Sequence, residues 1–193
     1  MITLSTLDCG ATLAVQEMRS VGSVSMRVLL PAGSSTDLDG GIGVSTLLAE
    51  LLLRGTEEVA SRQFSESLDR LGVQRSCDIG ADTLQVDATM LGARLYESLP
   101  ILMSAILQPR LDSGDLESSR RLALQTLEGL DDDPQHLAML QLRSLHHPSP
   151  LNRSGYGESA DLQNVTIDDV RQRWRQRCVP EGTVIALAGN LEH

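Results

Sequence analysis

Gly33 to Thr56 reads GSSTDLDGGIGVSTLLAELLLRGT, and its second half sets the architecture. Val44, Leu47, Leu48, Leu51 and Leu52 fall at i, i+3, i+4, i+7 and i+8, the apolar stripe of a helix from Gly43 to Arg54. Gly55 follows as a stop signal. A helix this apolar has to be covered, so it is expected to lie largely buried. The glycines at Gly40, Gly41 and Gly43 mark a tight entry to it. They do not form a phosphate loop, because no Lys-Ser/Thr ending follows them.

Upstream, Ile2 to Leu7 and Ala11 to Glu17 read as short strands around a turn at Asp8-Cys9-Gly10, and Ser23 to Pro31 alternates as a third. Downstream, Ser61 to Leu71 reads as a helix capped by Ser61, with Phe64, Leu68 and Leu71 as its buried stripe. Val73 to Ile79 and Thr83 to Met90 read as strands joined by Gly80-Ala81-Asp82. Helices follow at Leu95 to Leu107, at Ser113 to Leu130 with Ser113 as cap, and at Pro134 to His146 with Pro in the first turn. Pro148 to Asp161 is a polar loop, Thr166 caps a helix at Asp168 to Arg177, and Thr183 to Leu187 is a last strand. Grouped strands and blocked helices indicate an α+β class: a largely antiparallel sheet with helices on one face. Residues 1–190 read as a single domain. The tail Leu191-Glu192-His193 matches the start of a polyhistidine expression tag and is set aside.

With 41% hydrophobic and 22% charged residues, the 193-residue chain is long enough to bury a core, and disorder is excluded. A formal charge of −10 disfavours nucleic acid as a partner. Aromatics are limited to Phe64, Tyr96, Tyr156 and Trp174, so few rings are available for stacking on bases or sugars. No apolar run approaches the roughly 20 residues of a membrane span, and Met1 to Gly10 shows no basic signal-peptide region, so a cytoplasmic location is expected. Cys9, Cys77 and Cys178 are odd in number and widely spaced, which argues against disulfides and a structural zinc site. His146 and His147 are adjacent, about 100° apart on a helix, and read as surface residues at a helix C-terminus rather than a chelating pair. Asp131 to Asp133 lacks the spacing of a calcium loop.

The order of motifs resembles the N-terminal domain of the insulinase and mitochondrial-processing-peptidase family, peptidase family M16. Gly33-Ser34, Gly43, the leucine-rich helix and Gly55-Thr56 match the segment in which that family carries His-x-x-Glu-His. Gly72 to Thr83 resembles its substrate-binding edge strand, and Asp131-Asp132-Asp133-Pro134 its acidic helix break. Pro150-Leu151-Asn152-Arg153 with Gly155-Tyr156-Gly157 resembles its Pro-Leu-x-Arg loop, Leu162 to Val170 a helix start, and Ile185 to Asn190 its closing strand. The resemblance implies the metallohydrolase fold named for LuxS and mitochondrial processing peptidase. It also implies a zinc site with two imidazoles and a carboxylate general base on one helix, plus a distal Glu.

The positions matching that site here are Thr46, Ala49 and Glu50, and counting back eight residues from Pro134 places the distal ligand at Thr126. A catalytic zinc needs three protein ligands, and this set offers one carboxylate and no imidazole. The expectation is therefore a chain with no zinc or other cofactor and no catalytic residue, inactive on its own. Family resemblance implies pairing, as a dimer, with a homologous M16 subunit or with a C-terminal domain of its own chain lying beyond this sequence. The pair would close a chamber around an extended peptide. Peptide addition along Val73 to Ile79 makes Arg75, Ser76, Cys77 and Asp78 the binding candidates. A purely structural subunit, or a zinc endopeptidase with a relocated site, are the rival readings.

Overall fold

A computed structural model of the chain describes residues 1–191. The tail residues Glu192 and His193, set aside on sequence grounds, lie outside the described residues, whereas Leu191 is buried and belongs to the core cluster.

Six strands form one sheet: β1 (Ile2–Thr6), β2 (Thr12–Glu17), β3 (Ser23–Leu30), β4 (Gln74–Ile79), β5 (Leu84–Leu91) and β6 (Val184–Gly189). Their spatial order is β1-β2-β6-β3-β5-β4, and β2 with β6 is the parallel pair among antiparallel neighbours. The α+β reading therefore stands, with a largely antiparallel sheet. The closing strand runs Val184–Gly189, two residues beyond the expected end, because it pairs along β3 as far as Val24.

The helices are α1 (Val44–Leu52), α2 (Ser61–Arg70), α3 (Leu95–Leu107), α4 (Ser113–Leu130), α5 (Pro134–His146), α6 (Ser159–Asn164) and α7 (Ile167–Arg177). Alternation in β3 and β5 places Val24, Met26, Val28, Leu84, Val86 and Met90 against them, each at most 2% exposed. On the far face, β3 and β5 carry mainly polar residues instead, among them Ser25, Arg27, Asp87 and Thr89. There Arg27 and Asp87, register partners on β3 and β5, form a two-pronged ion pair at 2.7 and 2.9 Å.

Helix α1 sits at the centre of the core, with Leu47, Leu48, Leu51 and Leu52 essentially inaccessible. Its start is fixed by Asp37, whose carboxylate accepts from the Gly43 and Ser45 amides at 2.8 and 3.2 Å and from Ser45 Oγ at 2.5 Å. Buried Arg173 of α7 pairs with the same carboxylate at 3.4 Å and donates to the Thr36 carbonyl at 2.6 Å. Gly43 has φ +120°, and a Cβ there would lie 2.6 Å from Leu162 Cδ2, so glycine is required on both counts.

Three local expectations are corrected. Ala60, not Ser61, stands at the start of α2, and no side chain caps it. Asp112, not Ser113, caps α4, accepting from the Gly114 amide at 2.8 Å. The segment Pro148 to Asp161, expected to be all loop, already contains the start of α6, where Leu162 is the one buried residue. Thr166 caps α7 as expected and forms a reciprocal capping box with Asp169. No helix among the described residues is long and apolar enough to cross a membrane.

Candidate functional site

The stripe of α1 that faces away from its core leucines carries Thr46, Ala49 and Glu50, and these three form the floor of a cavity of about 730 Å³. Helix α4 adds Ala123 and Thr126 to the wall. The sheet edge adds Cys77, Asp78 and Ile79 from β4, the outermost strand. Helix α5 crosses opposite, and the loop Ser154-Gly155-Tyr156 closes one end. That loop is anchored by Arg153, which reaches the Asp37 carbonyl and pairs with Asp39 at 2.8 Å.

All four positions singled out on sequence grounds thus meet in one space. Their chemistry does not fit zinc. The Thr46 hydroxyl donates to the Gly155 carbonyl at 2.9 Å, and the Thr126 hydroxyl donates to the Leu122 carbonyl at 2.9 Å. Both are committed to backbone, and Ala49 offers only a methyl group. Glu50 is left as a single carboxylate where three ligands are needed. Among the described residues, no group of three or more His, Cys, Asp and Glu is placed to hold a metal ion.

Glu50 is half-buried, and no described side chain bonds to its carboxylate; Arg54 donates instead to its backbone carbonyl at 3.0 Å. Burial raises its pKa above the ordinary glutamate value, Arg54 opposes that shift, and the negative charge of Asp78 adds to it. Burial likewise pushes the Cys77 thiol far up, with Asp78 adding to the effect, so this cysteine is no nucleophile near neutral pH. Burial holds Cys178 at about 12.

The four strand candidates divide. Cys77 and Asp78 line the cavity. Arg75 turns under the helical layer, donating to Ser65 at 3.0 Å and to Asp69 at 3.2 Å, 5.7 Å from the Phe64 ring centre. Ser76 is exposed and donates to Asp78 at 3.1 Å.

Sequence reasoning missed the α5 wall. His136, Arg143, His146 and the following His147 all line the cavity, and His136 Nε2 lies 3.0 Å from the Tyr156 hydroxyl. The available signal was apolarity: Met139, Leu142 and Leu145 are 59–84% exposed, on a helix with no buried residue.

Residues 12–154 match the model of a protein family described as "Insulinase (Peptidase family M16)". A relative in Mycobacterium tuberculosis, named an uncharacterized zinc protease, is 25% identical over 190 residues, covering 98% of this chain and 43% of its own. The non-peptidase homolog YmxG of Helicobacter pylori is 24% identical over 161 residues, 83% of this chain and 37% of its own. A crystal structure described as a peptidase M16 inactive domain from Pseudomonas fluorescens superposes with a TM-score of 0.90 at 20% identity, over all of this chain and 47% of that one. The chain therefore spans less than half the length of these relatives, and the structural likeness establishes a shared fold.

Proposed function

The chain belongs to the insulinase family, peptidase family M16, and from that membership we propose that it is a non-catalytic domain that grips an extended peptide for a larger assembly. One observation carries the reading. The positions where the family resemblance implies zinc chemistry converge on one cavity, yet they are Thr46, Ala49, Glu50 and Thr126, with both hydroxyls bonded to backbone. The scaffold of the site is kept and its chemistry is gone.

The cavity retains what peptide binding needs. Strand β4 is an edge, so its outward amides and carbonyls are available for strand addition, and Cys77, Asp78 and Ile79 put that edge on the cavity. Pairing with a homologous subunit, or with a following domain of a longer chain, would close the chamber over α5. The printed names of an inactive M16 domain and a non-peptidase homolog among the similar proteins support this reading.

Amide exchange tests it. On addition of an extended peptide, β4 amides should slow while those of β1, the opposite edge, stay unchanged. Equal protection of both edges, or hydrolysis of the peptide by the purified chain, would overturn it.

A further inference from the structure

The wall of the cavity opposite Glu50 is free of acid. From residue 134 to residue 157, α5 and the loop after it contain no Asp or Glu, in a chain that carries 26 of them. The same stretch brings Arg143, His136, His146 and His147 to the cavity lining. His136 is taken up by Tyr156, and Arg153 by Asp39 and the Asp37 carbonyl. Arg143, His146 and His147 are left, at i, i+3 and i+4 on one side of the end of α5. The Arg143 guanidinium has no partner among the described residues, and the two imidazoles have each other, edge to face at 4.8 Å, but no hydrogen-bonding partner there. The charges that act on Glu50 are those of Arg54 and Asp78, so this wall is not spent on the floor. A helix C-terminus favours cations, which accounts for Arg143 and His146 in the last turn. It does not account for the lack of acids in the loop that follows, or for the side of the helix that the three residues share.

Resting on the peptide reading above, we propose that Arg143, with His146 and His147, forms a subsite on the α5 wall for a carboxylate of the bound peptide, from an acidic side chain or from the chain terminus. A guanidinium offers a carboxylate two parallel N–H donors, and each imidazole adds another. Met139 and Leu142 line the same wall and give the methylene stem of a glutamate an apolar surface to lie on. A strand added to β4 turns every second side chain toward the cavity, so α5 meets the peptide at alternate positions. The net charge of −10 disfavours an acidic peptide in general, so a preference for one has to come from a local cause.

The test uses the full chain and uncharged, β-prone peptides capped at both ends, in which a single Glu is moved along the sequence, each beside its Gln twin. One further pair ends in a free acid or an amide. At alternate positions Glu should bind about fivefold more tightly than Gln at low salt, and the difference should shrink as salt is raised, as an exposed ion pair requires. It should be lost in Arg143→Gln and reduced in the double variant His146→Gln, His147→Gln. It should persist in Arg121→Gln, which removes an exposed arginine of α4 outside the cavity lining. A preference confined to the free-acid peptide would keep the subsite and assign it to the chain terminus. Equal binding of every Glu and Gln twin, with acid and amide also equal, would overturn the subsite and leave the peptide reading standing. A Glu preference that is uniform along the peptide, or that survives in Arg143→Gln, would place the recognition elsewhere and also overturn it. No binding of any peptide would overturn both.

Discussion

At the scale of single residues, Glu50 and Asp37 are two carboxylates at opposite ends of α1, Glu50 in its last turn and Asp37 at its start, with opposite circumstances. Asp37 is buried but fully used, by two amides, a hydroxyl and Arg173. Glu50 is half-buried and unused, and its raised pKa makes its charge unfavourable to folding. The sign follows. Below the pKa of an unfolded glutamate, about 4.3, the residue is neutral in both states and its charge costs nothing. As pH rises through the higher folded value, the native state has to give up a proton it holds more tightly than the unfolded chain does, and stability falls. Glu50→Gln should therefore raise the melting temperature at pH 7, modestly, because the half-exposed carboxylate is partly screened by solvent. The gain should vanish as pH approaches about 4. Thermal melts of both proteins across that range would check it, and a destabilised Gln variant at pH 7 would show that Glu50 has a partner in the free protein. The degenerate positions themselves were readable in the sequence, because one helical stripe fixes Thr46, Ala49 and Glu50 together. The state of Glu50 was not, since it depends on β4 and α4 closing around it.

Among the elements, α1 and α5 are extremes. The leucine periodicity of α1 told its burial directly, and the structure buries seven of its nine residues. The α5 sequence also told a helix, broken from α4 by Asp131-Asp132-Asp133-Pro134 and capped by Asp133 at 2.9 Å from the His136 amide. What it did not tell was the path of that helix across the cavity mouth. Periodicity reports which side of a helix is apolar, not which tertiary neighbour it meets. The cap of α4 was misplaced by one residue for a local reason: Asp112 and Ser113 are adjacent cap formers, and only backbone geometry chooses between them. Helix α6 was missed because a single buried apolar residue, Leu162, gives six residues no period to read. With no buried side chain, α5 is the weakest-held long helix, and the His136–Tyr156 bond is a main tie to the rest of the molecule. Its amides should exchange far faster than those of α1. Tyr156→Phe should speed α5 further while lowering global stability by no more than about 1 kcal/mol. Exchange read by mass spectrometry checks both, and α5 protection equal to that of α1 would contradict them.

Over the whole molecule, the order of strands and helices was legible because each carries its own period and punctuation. The insertion of β6 between β2 and β3 was not, as pairing across the full chain leaves no local mark. The central claim is that this fold keeps the geometry of a zinc peptidase site without its ligands. Positions 46, 50 and 126 line one cavity, so side chains of the right chemistry placed there should converge on an ion. The deciding measurement is a calorimetric zinc titration of the protein, carrying no polyhistidine extension, beside its Thr46→His, Glu50→His, Thr126→Glu variant. The account predicts no stoichiometric binding by the natural sequence and a clear single-site isotherm for the triple variant. Stoichiometric zinc on the natural sequence, lost in Glu50→Gln, would contradict it, as would a triple variant that binds no better than its parent.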